Sequence, residues 1–368
     1  MRRLRVLEFI KGLDIGGAEV LLAEHLRLAD HDQFEYSLAY LDAERNRLGA
    51  TIEELGVSVC CLNSRSVLDL RWVVRLRRHI VHNNIDIVHV HSPLAAVGLR
   101  AAVCRLGRMR PIIVTTEHNV SYRTISYLLD YATVHVDDLV LAVSDAVGQS
   151  AICRSAKRLE IVNYGVNVTQ LHAWRRERDN IASSFELHEG PRVVCVANLR
   201  PEKGQKTLLQ AARLVHAELP DVHFYLAGHG PLARWIDDQI RRHGMNSYYH
   251  CLGLVPSAAR LTACADVFVL PSDREGRPVA LMEAMAVGTP AVATAVGGVS
   301  GMIRHLENGL LSPPNDSEAL ASLLVLLLTD ESLRRRLGDA AFETGKGYDL
   351  AIATTRIESL FLELARGR

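Results

Sequence analysis

Short apolar runs alternate with segments of helical periodicity along most of the chain, and polar or glycine-rich turns separate them. In the first half the apolar runs predict strands at residues 6–10, 36–40, 57–62, 87–90, 112–115 and 139–143. In the second half they predict strands at residues 192–197, 223–227, 267–270 and 291–294. Strands that alternate with helices at this spacing favour parallel, doubly wound sheets. We therefore predict an α/β protein with two Rossmann-like, doubly wound domains facing a cleft.

The helical segments of the second half complete this pattern. They are predicted at residues 205–216, 231–243, 278–287, 316–328 and 349–365. The charged stretch from Trp174 to Asn180 interrupts the alternation, and we interpret it as a linker. The predicted division is a first domain at residues 1–165, a second domain at residues 166–347, and a final helix within residues 348–368.

Composition and charge narrow the class of partner. The chain holds 42 Lys+Arg and 42 Asp+Glu, so its formal net charge is zero, which gives no support for a nucleic-acid-binding protein. Seven cysteines without a C-x-x-C spacing fit thiols in a reducing compartment. No stretch approaches the ~18 apolar residues of a membrane span. We expect a cytoplasmic protein, either free or attached peripherally to the inner face of the plasma membrane.

One segment bears on that membrane question. Residues 71–80 are basic and amphipathic, with Trp72, Val73, Leu76 and Ile80 on one helical face. A helix of this kind can lie on a membrane surface. The interpretation that we favour is a crossover helix that packs its apolar face on the sheet.

Two glutamates bracket the most informative segment of the chain. Glu275 follows a predicted strand and the break Pro271-Ser272, and Glu283 lies in the next predicted helix. Loops at the carboxyl ends of parallel strands are where ligands bind. Glu283 interrupts a mostly apolar helix, where a lone charge needs a partner or a ligand. Two carboxylates placed in this way suit a ligand with two groups of hydroxyls, such as the sugar and the ribose of a sugar nucleotide.

The alternative for two glutamates is the carboxyl pair of a glycosidase. Eight residues of helix span about 12 Å at roughly 1.5 Å per residue. Glycosidase carboxyls lie about 5–9.5 Å apart, depending on the stereochemical outcome. A loop can bend back, so the spacing disfavours a glycosidase without excluding it.

Further predicted strands also end in loops that suit an anionic ligand. Lys203 precedes a predicted helix and can reach an anion there, and Arg200 is a second candidate cation. Gly228 and Gly230 permit close approach of the backbone to a ligand.

In the first half, Gly16 and Gly17 open a predicted helix after the first strand. They can contact a phosphate with backbone N–H groups, or form a tight turn with a glycine cap.

Three histidines follow or lie within strands of the first half. His118, flanked by Glu117 and Asn119, either orients a sugar hydroxyl or is simply hydrogen-bonded structure. His89 and His91 share a strand face, but zinc sites need three or four ligands and no third ligand is apparent nearby. We interpret His89 and His91 as structural and expect no metal.

Together these motifs resemble the group 1, or family 4, retaining glycosyltransferases of GT-B fold. The resemblance is strongest from Asn163 to Asp316 and looser in the first half. It rests on residues 163–167, 203–204, 228–231, 265–272, 275–283, 297–298 and 308–311, and in the first half on residues 16–19, 88–92, 117–119 and 143–144.

The resemblance implies that the second domain holds a nucleotide-sugar donor and that the first domain binds a glycan or lipid-linked acceptor. The final helix would cross back to the first domain. Sugar transfer would serve bacterial surface polysaccharide biosynthesis. Retention of anomeric configuration, and no required metal or cofactor, are also implied.

Site roles follow from the same resemblance. Lys203 would bind the diphosphate, Glu275 the transferred sugar and Glu283 the ribose hydroxyls. The backbone amides of Gly276 and Arg277 would lie near the sugar. In the first domain, Gly16-Gly17 would approach the diphosphate, and His118 would contact the donor sugar near the reacting centre.

Two departures from the family pattern bear on specificity. Many relatives carry an arginine where this chain has Asn198, so Arg200 is the candidate to supply that charge. Arg277 occupies a position that is often aromatic or leucine in relatives. Two alternatives to a transferase stay open: a sugar-nucleotide epimerase or phosphorylase on the same fold, and a non-catalytic donor-binding subunit.

Overall fold

The computed structural model describes residues 2–64, 69–118, 125–185 and 187–367. Asn119, which belongs to one of the motifs above, lies outside these ranges. The structure divides into two compact units. Unit 1 is Met1–Tyr164 together with Leu350–Arg368, and unit 2 is Gly165–Asp349.

Unit 1 is built on a parallel sheet of seven strands. The strands are β1 Leu4–Ile10, β2 Phe34–Tyr40, β3 Ser58–Cys61, β4 Ile87–Val90, β5 Ile112–Glu117, β6 Leu139–Ala142 and β7 Leu159–Ile161. Their order across the sheet is β3-β2-β1-β4-β5-β6-β7. Strands β4, β5 and β6 are buried along their whole length, as expected for central strands with helices on both faces.

Helices connect these strands and cover the sheet. They are α1 Gly17–Leu28, α2 Gly49–Glu53, α3 Arg71–His82, α4 Pro93–Val103, α5 Ile125–Thr133, α6 Asp145–Gly148 and α7 Ala151–Arg154. Helix α3 is the amphipathic segment, and it buries Trp72, Leu76 and Ile80 in the core of unit 1. Its apolar face therefore packs inside the unit, which is the interpretation that we favoured from the sequence.

Unit 2 repeats the architecture on a parallel sheet of six strands. The strands are β8 Arg192–Val196, β9 His223–Ala227, β10 Tyr249–Gly253, β11 Val267–Leu270, β12 Ala291–Thr294 and β13 Leu310–Ser312, in the order β10-β9-β8-β11-β12-β13. Its helices are α8 Val168–Arg176, α9 Arg178–Ala182, α10 Gln205–Glu218, α11 Ala233–Arg242, α12 Ala259–Ala263, α13 Val279–Val287, α14 Ser317–Thr329 and α15 Glu331–Gly345.

The last helix, α16 Leu350–Arg366, belongs to unit 1. It packs against α1, and Phe361 lies fully buried against Phe34 and His89. Glu358 accepts hydrogen bonds from the Tyr36 hydroxyl at 2.9 Å and the Asp30 amide at 2.8 Å. No helix in the part of the chain that the structure describes has the length and hydropathy needed to cross a bilayer.

The predicted linker at residues 174–180 is wrong. These residues form the end of α8 and the start of α9, inside unit 2. Val168 and Leu171 of α8 are buried in the core that α13 lines, whereas Arg176 and Glu177 are exposed. A short helix with one apolar face and a charged outer face resembles a linker when only its composition is considered.

Candidate functional site

The predicted ligand loops of unit 2 leave one edge of its sheet. Because neighbouring strands are parallel, the loops that follow β8, β9, β11 and β12 start at the same carboxyl edge. This edge carries the residues that the sequence assigned to the donor, with Glu283 in the helix that follows. They are Arg200, Lys203, Gly228, Gly230, Glu275, Gly276 and Arg277.

A buried ion pair lies at the centre of this edge. Lys203 Nζ is 2.7 Å from Glu275 Oε1. The Ser272 hydroxyl donates to the same oxygen, also at 2.7 Å. Glu275 is 7% exposed and Ser272 is fully buried, whereas the Lys203 side chain keeps 23% of its surface exposed. The carboxylate is therefore held in one orientation, whereas part of the lysine side chain remains exposed.

Backbone contacts bind the Lys203 loop to the Glu275 loop. Lys203 ends a 3₁₀ turn, and Gly204 follows with φ 65° as the cap of α10. A Cβ at Gly204 would overlap the carbonyl oxygen of Pro271, and the Asp273 amide donates to the carbonyl of Glu202 at 2.9 Å. The left-handed φ and the close approach both require glycine. These contacts fix the position of Lys203 relative to Glu275.

The pair Gly297-Gly298 supports the Glu275 loop from the next strand. The Gly298 amide donates to the Glu275 carbonyl at 3.1 Å. A Cβ at Gly297 would overlap that carbonyl oxygen, and a Cβ at Gly298 would overlap the carbonyl oxygen of Gly276. In the sequence this pair belongs to the motifs of the family resemblance; in the structure it is a close-packed backbone contact.

A methyl group at position 298 is expected to displace the Glu275 loop. For Gly298→Ala we expect a loss of about 1–3 kcal/mol in the free energy of unfolding from overpacking. This is a fall in melting temperature of roughly 2–12 °C for a unit of this size. Gly301→Ala is the matched control, because a Cβ at Gly301 meets nothing within 4 Å. Equal melting temperatures for the two variants would contradict the proposed contact.

Gly228 and Gly230 pack against the turn that follows β8. A Cβ at Gly228 would overlap the Ala197 carbonyl, and one at Gly230 would crowd the Leu199 carbonyl. The Leu199 amide donates to the His229 carbonyl at 3.0 Å. The two glycines therefore hold the turn that leads to Arg200 and Lys203. His229 itself is an exposed turn residue.

The remaining charged groups at this edge differ in exposure. The Arg200 side chain is exposed. The Arg277 guanidinium carbon lies 5.0 Å from the ring centroid of Tyr348, a cation–π distance. Glu283 is partly buried on α13, and burial raises the pKa of its carboxyl to about 7. A carboxyl in this range changes its charge near neutral pH and is suited to accept hydrogen bonds from ligand hydroxyls once it is ionised.

In unit 1, the predicted residues lie after β1 and β5. Gly16 caps α1 without a side-chain hydrogen bond, and Gly17 is the first helical residue, so the glycine-cap interpretation fits.

His118 follows β5, with its Nε2 3.4 Å from His91 Nδ1. Burial, together with the nearby His91 and His89, lowers the pKa of His118 to about 3. At neutral pH His118 is therefore an uncharged hydrogen-bonding group and not a cation.

The prediction that no third ligand-type residue lies near His89 and His91 is wrong. Glu8 pairs with His89 across β1 and β4, and its Oε2 is 2.7 Å from His91 Nε2. Burial would raise the pKa of the Glu8 carboxyl, but the charges and hydrogen bonds of His89 and His91 outweigh it and hold that pKa well below its ordinary value. These groups match a zinc ligand set in composition, yet their hydrogen bonds already satisfy the carboxylate.

The sequence carries a signal for Glu8. A charged residue in the middle of an apolar strand needs a partner, as Glu283 does in its apolar helix. The buried partner Ser272 was also missed, because a serine after a strand is common and its hydrogen bond depends on the fold.

Unit 1 also contains a polar cavity of about 850 Å³. It lies beyond the carboxyl ends of β1, β2 and β3 and beside the first turns of α3 and α4. Its lining combines both signs of charge with neutral polar groups. The charged members are Lys11, Asp42, Glu44, Arg71 and Arg75.

Two family models match the chain in succession. One, described as Glycosyltransferase Family 4, matches residues 15–170, and one for Glycosyl transferases group 1 matches residues 177–344. This chain belongs to the group 1 (family 4) glycosyltransferases. The segment from Lys203 to Glu283 lies wholly inside the second match.

Relatives agree with this assignment, and a solved structure has the same fold. The chain is 26% identical over 287 residues to N-acetyl-alpha-D-glucosaminyl L-malate synthase of Bacillus anthracis, covering 75% of this chain and 74% of that protein. It is 29% identical over 307 residues to phosphatidyl-myo-inositol mannosyltransferase of Mycobacterium leprae, covering 79% and 77%. The fold matches that of Anabaena Alr3699/HepE in complex with UDP and glucose, with a TM-score of 0.83 at 19% identity over 98% of this chain and 100% of the other.

Proposed function

We propose that this glycosyltransferase moves a sugar, with retention of anomeric configuration, from a nucleotide-diphosphate sugar to a hydroxyl of a glycan or lipid-linked acceptor. The observation that carries the proposal is the Lys203–Glu275 pair at the carboxyl edge of the unit 2 sheet, 2.7 Å apart and anchored by Ser272. A cation for a leaving diphosphate and a carboxylate for the sugar are thereby held side by side.

The charges that develop during the reaction explain the roles of Lys203 and Glu275. When the glycosidic bond to the diphosphate breaks, negative charge grows on the leaving phosphate and positive charge grows on the sugar ring. The Lys203 ammonium stabilises the first, helped by the amino terminus of α10, which begins two residues later. The Glu275 carboxylate stabilises the positive charge on the sugar ring. Both donors to Glu275 use Oε1, which leaves Oε2 to accept from the sugar.

Retention then requires no enzyme nucleophile. Glu275 is held by two hydrogen bonds on one oxygen and serves as an electrostatic partner, and the acceptor hydroxyl attacks from the face that the diphosphate leaves. Lys203, Arg200, Arg277 and backbone amides supply the positive charge, so the proposed reaction needs no metal or cofactor. Preorganised groups of this kind provide a large share of many enzymatic rate enhancements.

The remaining roles extend this proposal. Glu283 binds the ribose hydroxyls, and the amides of Gly276 and Arg277 contact the transferred sugar. In unit 1, Gly16-Gly17 and His118 keep the donor contacts that the family resemblance implies. The polar cavity of unit 1 binds the acceptor, whose hydroxyls its mixed lining suits. The reaction belongs to surface polysaccharide or glycolipid synthesis at the cytoplasmic face of the membrane.

Donor affinity is expected to rise with pH through the pKa of Glu283. Below about pH 7 the carboxyl is protonated, and above it the carboxylate accepts from the ribose hydroxyls. If binding requires the ionised form, a nucleotide sugar binds about tenfold more tightly at pH 8 than at pH 6 by proton linkage. Calorimetry with an intact nucleotide sugar, which has no ionising phosphate near pH 7, measures this dependence. Glu283→Gln should flatten it, and an unchanged slope in that variant would contradict the role of Glu283.

Product analysis tests the reaction itself. UDP-, GDP- and ADP-sugars are incubated with the protein and with glycan, glycolipid or hydroxy-acid acceptors, and the products are followed by ¹H and ³¹P NMR. We expect acceptor-dependent release of a nucleoside diphosphate and a product with the anomeric configuration of the donor. An inverted product would contradict retention. An epimerised donor would favour an epimerase, and consumption of phosphate would favour a phosphorylase. Donor binding without turnover would favour a non-catalytic subunit.

A further inference from the structure

Three histidines from separate segments meet at the amino edge of the unit 2 sheet. His223 is the first residue of β9 and His250 the second residue of β10. His188 lies in the segment that precedes β8. Their candidate ligand atoms lie within 4.8 Å of one another. In a parallel sheet this edge is opposite to the carboxyl edge that carries Lys203 and Glu275, so the cluster is separate from the proposed donor site.

The contacts among these imidazoles are close and directional. His223 Nδ1 is 3.1 Å from His250 Nε2, so the two rings share one proton between facing nitrogens. The His188 ring stacks on both, with centroids 4.6 Å from His223 and 4.4 Å from His250. Two nitrogens bound to one tetrahedral zinc ion lie about 3.3 Å apart, since zinc–nitrogen bonds are about 2.0–2.1 Å. The shared proton therefore occupies a gap close in size to the one that a metal ion needs.

Tyr225 provides the outer support that metal-binding histidines usually have. Its hydroxyl is 3.2 Å from His188 Nδ1 and accepts from the His188 amide at 2.8 Å. A hydrogen bond at Nδ1 leaves His188 Nε2 as the coordinating nitrogen, which is the usual arrangement when one ring nitrogen binds a metal and the other is held by a protein group. His188 is exposed, so its ring is able to rotate from the stack toward the other two.

We propose that His188, His223 and His250 form a binding site for a divalent transition metal of the zinc class, with solvent in the remaining position. Three imidazoles are a ligand set that Zn²⁺, Co²⁺, Ni²⁺ and Cu²⁺ accept. The ion takes the place of the hydrogen bond between His223 and His250. The ring that donates this bond changes tautomer, so its proton moves to its other ring nitrogen and both facing nitrogens bind the metal. It joins the segment before β8 to the two outer strands β9 and β10. This inference does not depend on the proposed transferase reaction.

Metal titration of the untagged full chain tests the site. Zn²⁺ is titrated by competition with a chromophoric chelator, and Co²⁺ is followed by its visible ligand-field absorption. We expect one ion per chain, and at least a tenfold weaker affinity in His223→Gln and in His250→Gln, since each removes a ligand. Tyr225→Phe should weaken binding by about 10–100-fold through the lost outer hydrogen bond.

Matched variants separate this site from other histidines. His243→Gln alters an exposed histidine of the same unit and should leave the metal affinity unchanged. Circular dichroism and nucleoside diphosphate binding establish that each variant is folded. The proposal is overturned if wild-type protein binds Zn²⁺ no more tightly than the His223→Gln/His250→Gln double variant. It is equally overturned if binding is lost in His91→Gln, which alters the buried histidine pair of unit 1, and retained in the double variant.

Discussion

Lys203→Ala is expected to reduce turnover about 10²–10³-fold, the usual cost of removing one preorganised charge-stabilising donor. Lys203 is the cation that the structure places against Glu275, and its side chain is partly exposed. Its removal takes away the charge that meets the leaving diphosphate and leaves the buried carboxylate without its ion-pair partner. We therefore expect both weaker nucleoside diphosphate binding and slower transfer, measured by calorimetry and by steady-state release of the diphosphate.

Lys206→Ala is the matched control for this variant. Lys206 is an exposed lysine in the first turn of α10, three residues after Lys203, so it tests whether any positive charge near this helix suffices. We expect Lys206→Ala to behave as wild type within about a factor of two, as surface substitutions generally do. Near-normal turnover in Lys203→Ala would remove the basis for the proposed diphosphate site.

Glu275→Gln should slow transfer by at least about 100-fold while leaving nucleoside diphosphate binding nearly unchanged. The amide preserves the shape of the side chain, and its oxygen can still accept from Ser272 and Lys203. What it loses is the negative charge that stabilises the sugar as positive charge develops. The expected signature is a fall in kcat with little change in the affinity for the free diphosphate, in contrast to Lys203→Ala.

A double variant tests whether Lys203 and Glu275 interact directly. Because Lys203 and Glu275 interact directly at 2.7 Å, the combined loss in Lys203→Ala/Glu275→Gln should be smaller than the product of the single losses. Glu307→Gln, at an exposed glutamate paired with Arg304, controls for loss of a negative charge elsewhere in unit 2. A kcat for Glu275→Gln equal to that of Glu307→Gln would exclude the proposed role of Glu275.

The central strands of both sheets could be predicted from sequence because they are continuous apolar runs. Strands β7, β10 and β13 were missed, and all three lie at sheet edges. An edge strand is covered on fewer sides, so its sequence need not be uniformly apolar; β10, for example, exposes Cys251, Leu252 and Gly253. Local periodicity therefore detects an edge strand where its apolar run is long enough. Strand β3 was predicted although none of its residues is buried, whereas β7 and β13 have only three residues each.

For the candidate site, the positions of residues after strands could be predicted from the sequence, but the contacts between them could not. Lys203 and Glu275 could be predicted, because each follows an apolar strand at a position where ligands bind. Their direct contact could not, since 72 positions separate them in the chain. The support from Gly297-Gly298 and the anchoring of Glu275 by Ser272 also depend on loops that only the folded sheet brings together.

The most direct test of the proposed diphosphate site is calorimetric titration of the wild-type chain and of Lys203→Ala with UDP, GDP and ADP. We predict that one of the three binds wild-type protein with a Kd in the micromolar range and that Lys203→Ala binds it at least tenfold more weakly. Absence of binding by all three, or equal affinity in the two proteins, would contradict the claim that Lys203 and its partners hold the leaving group.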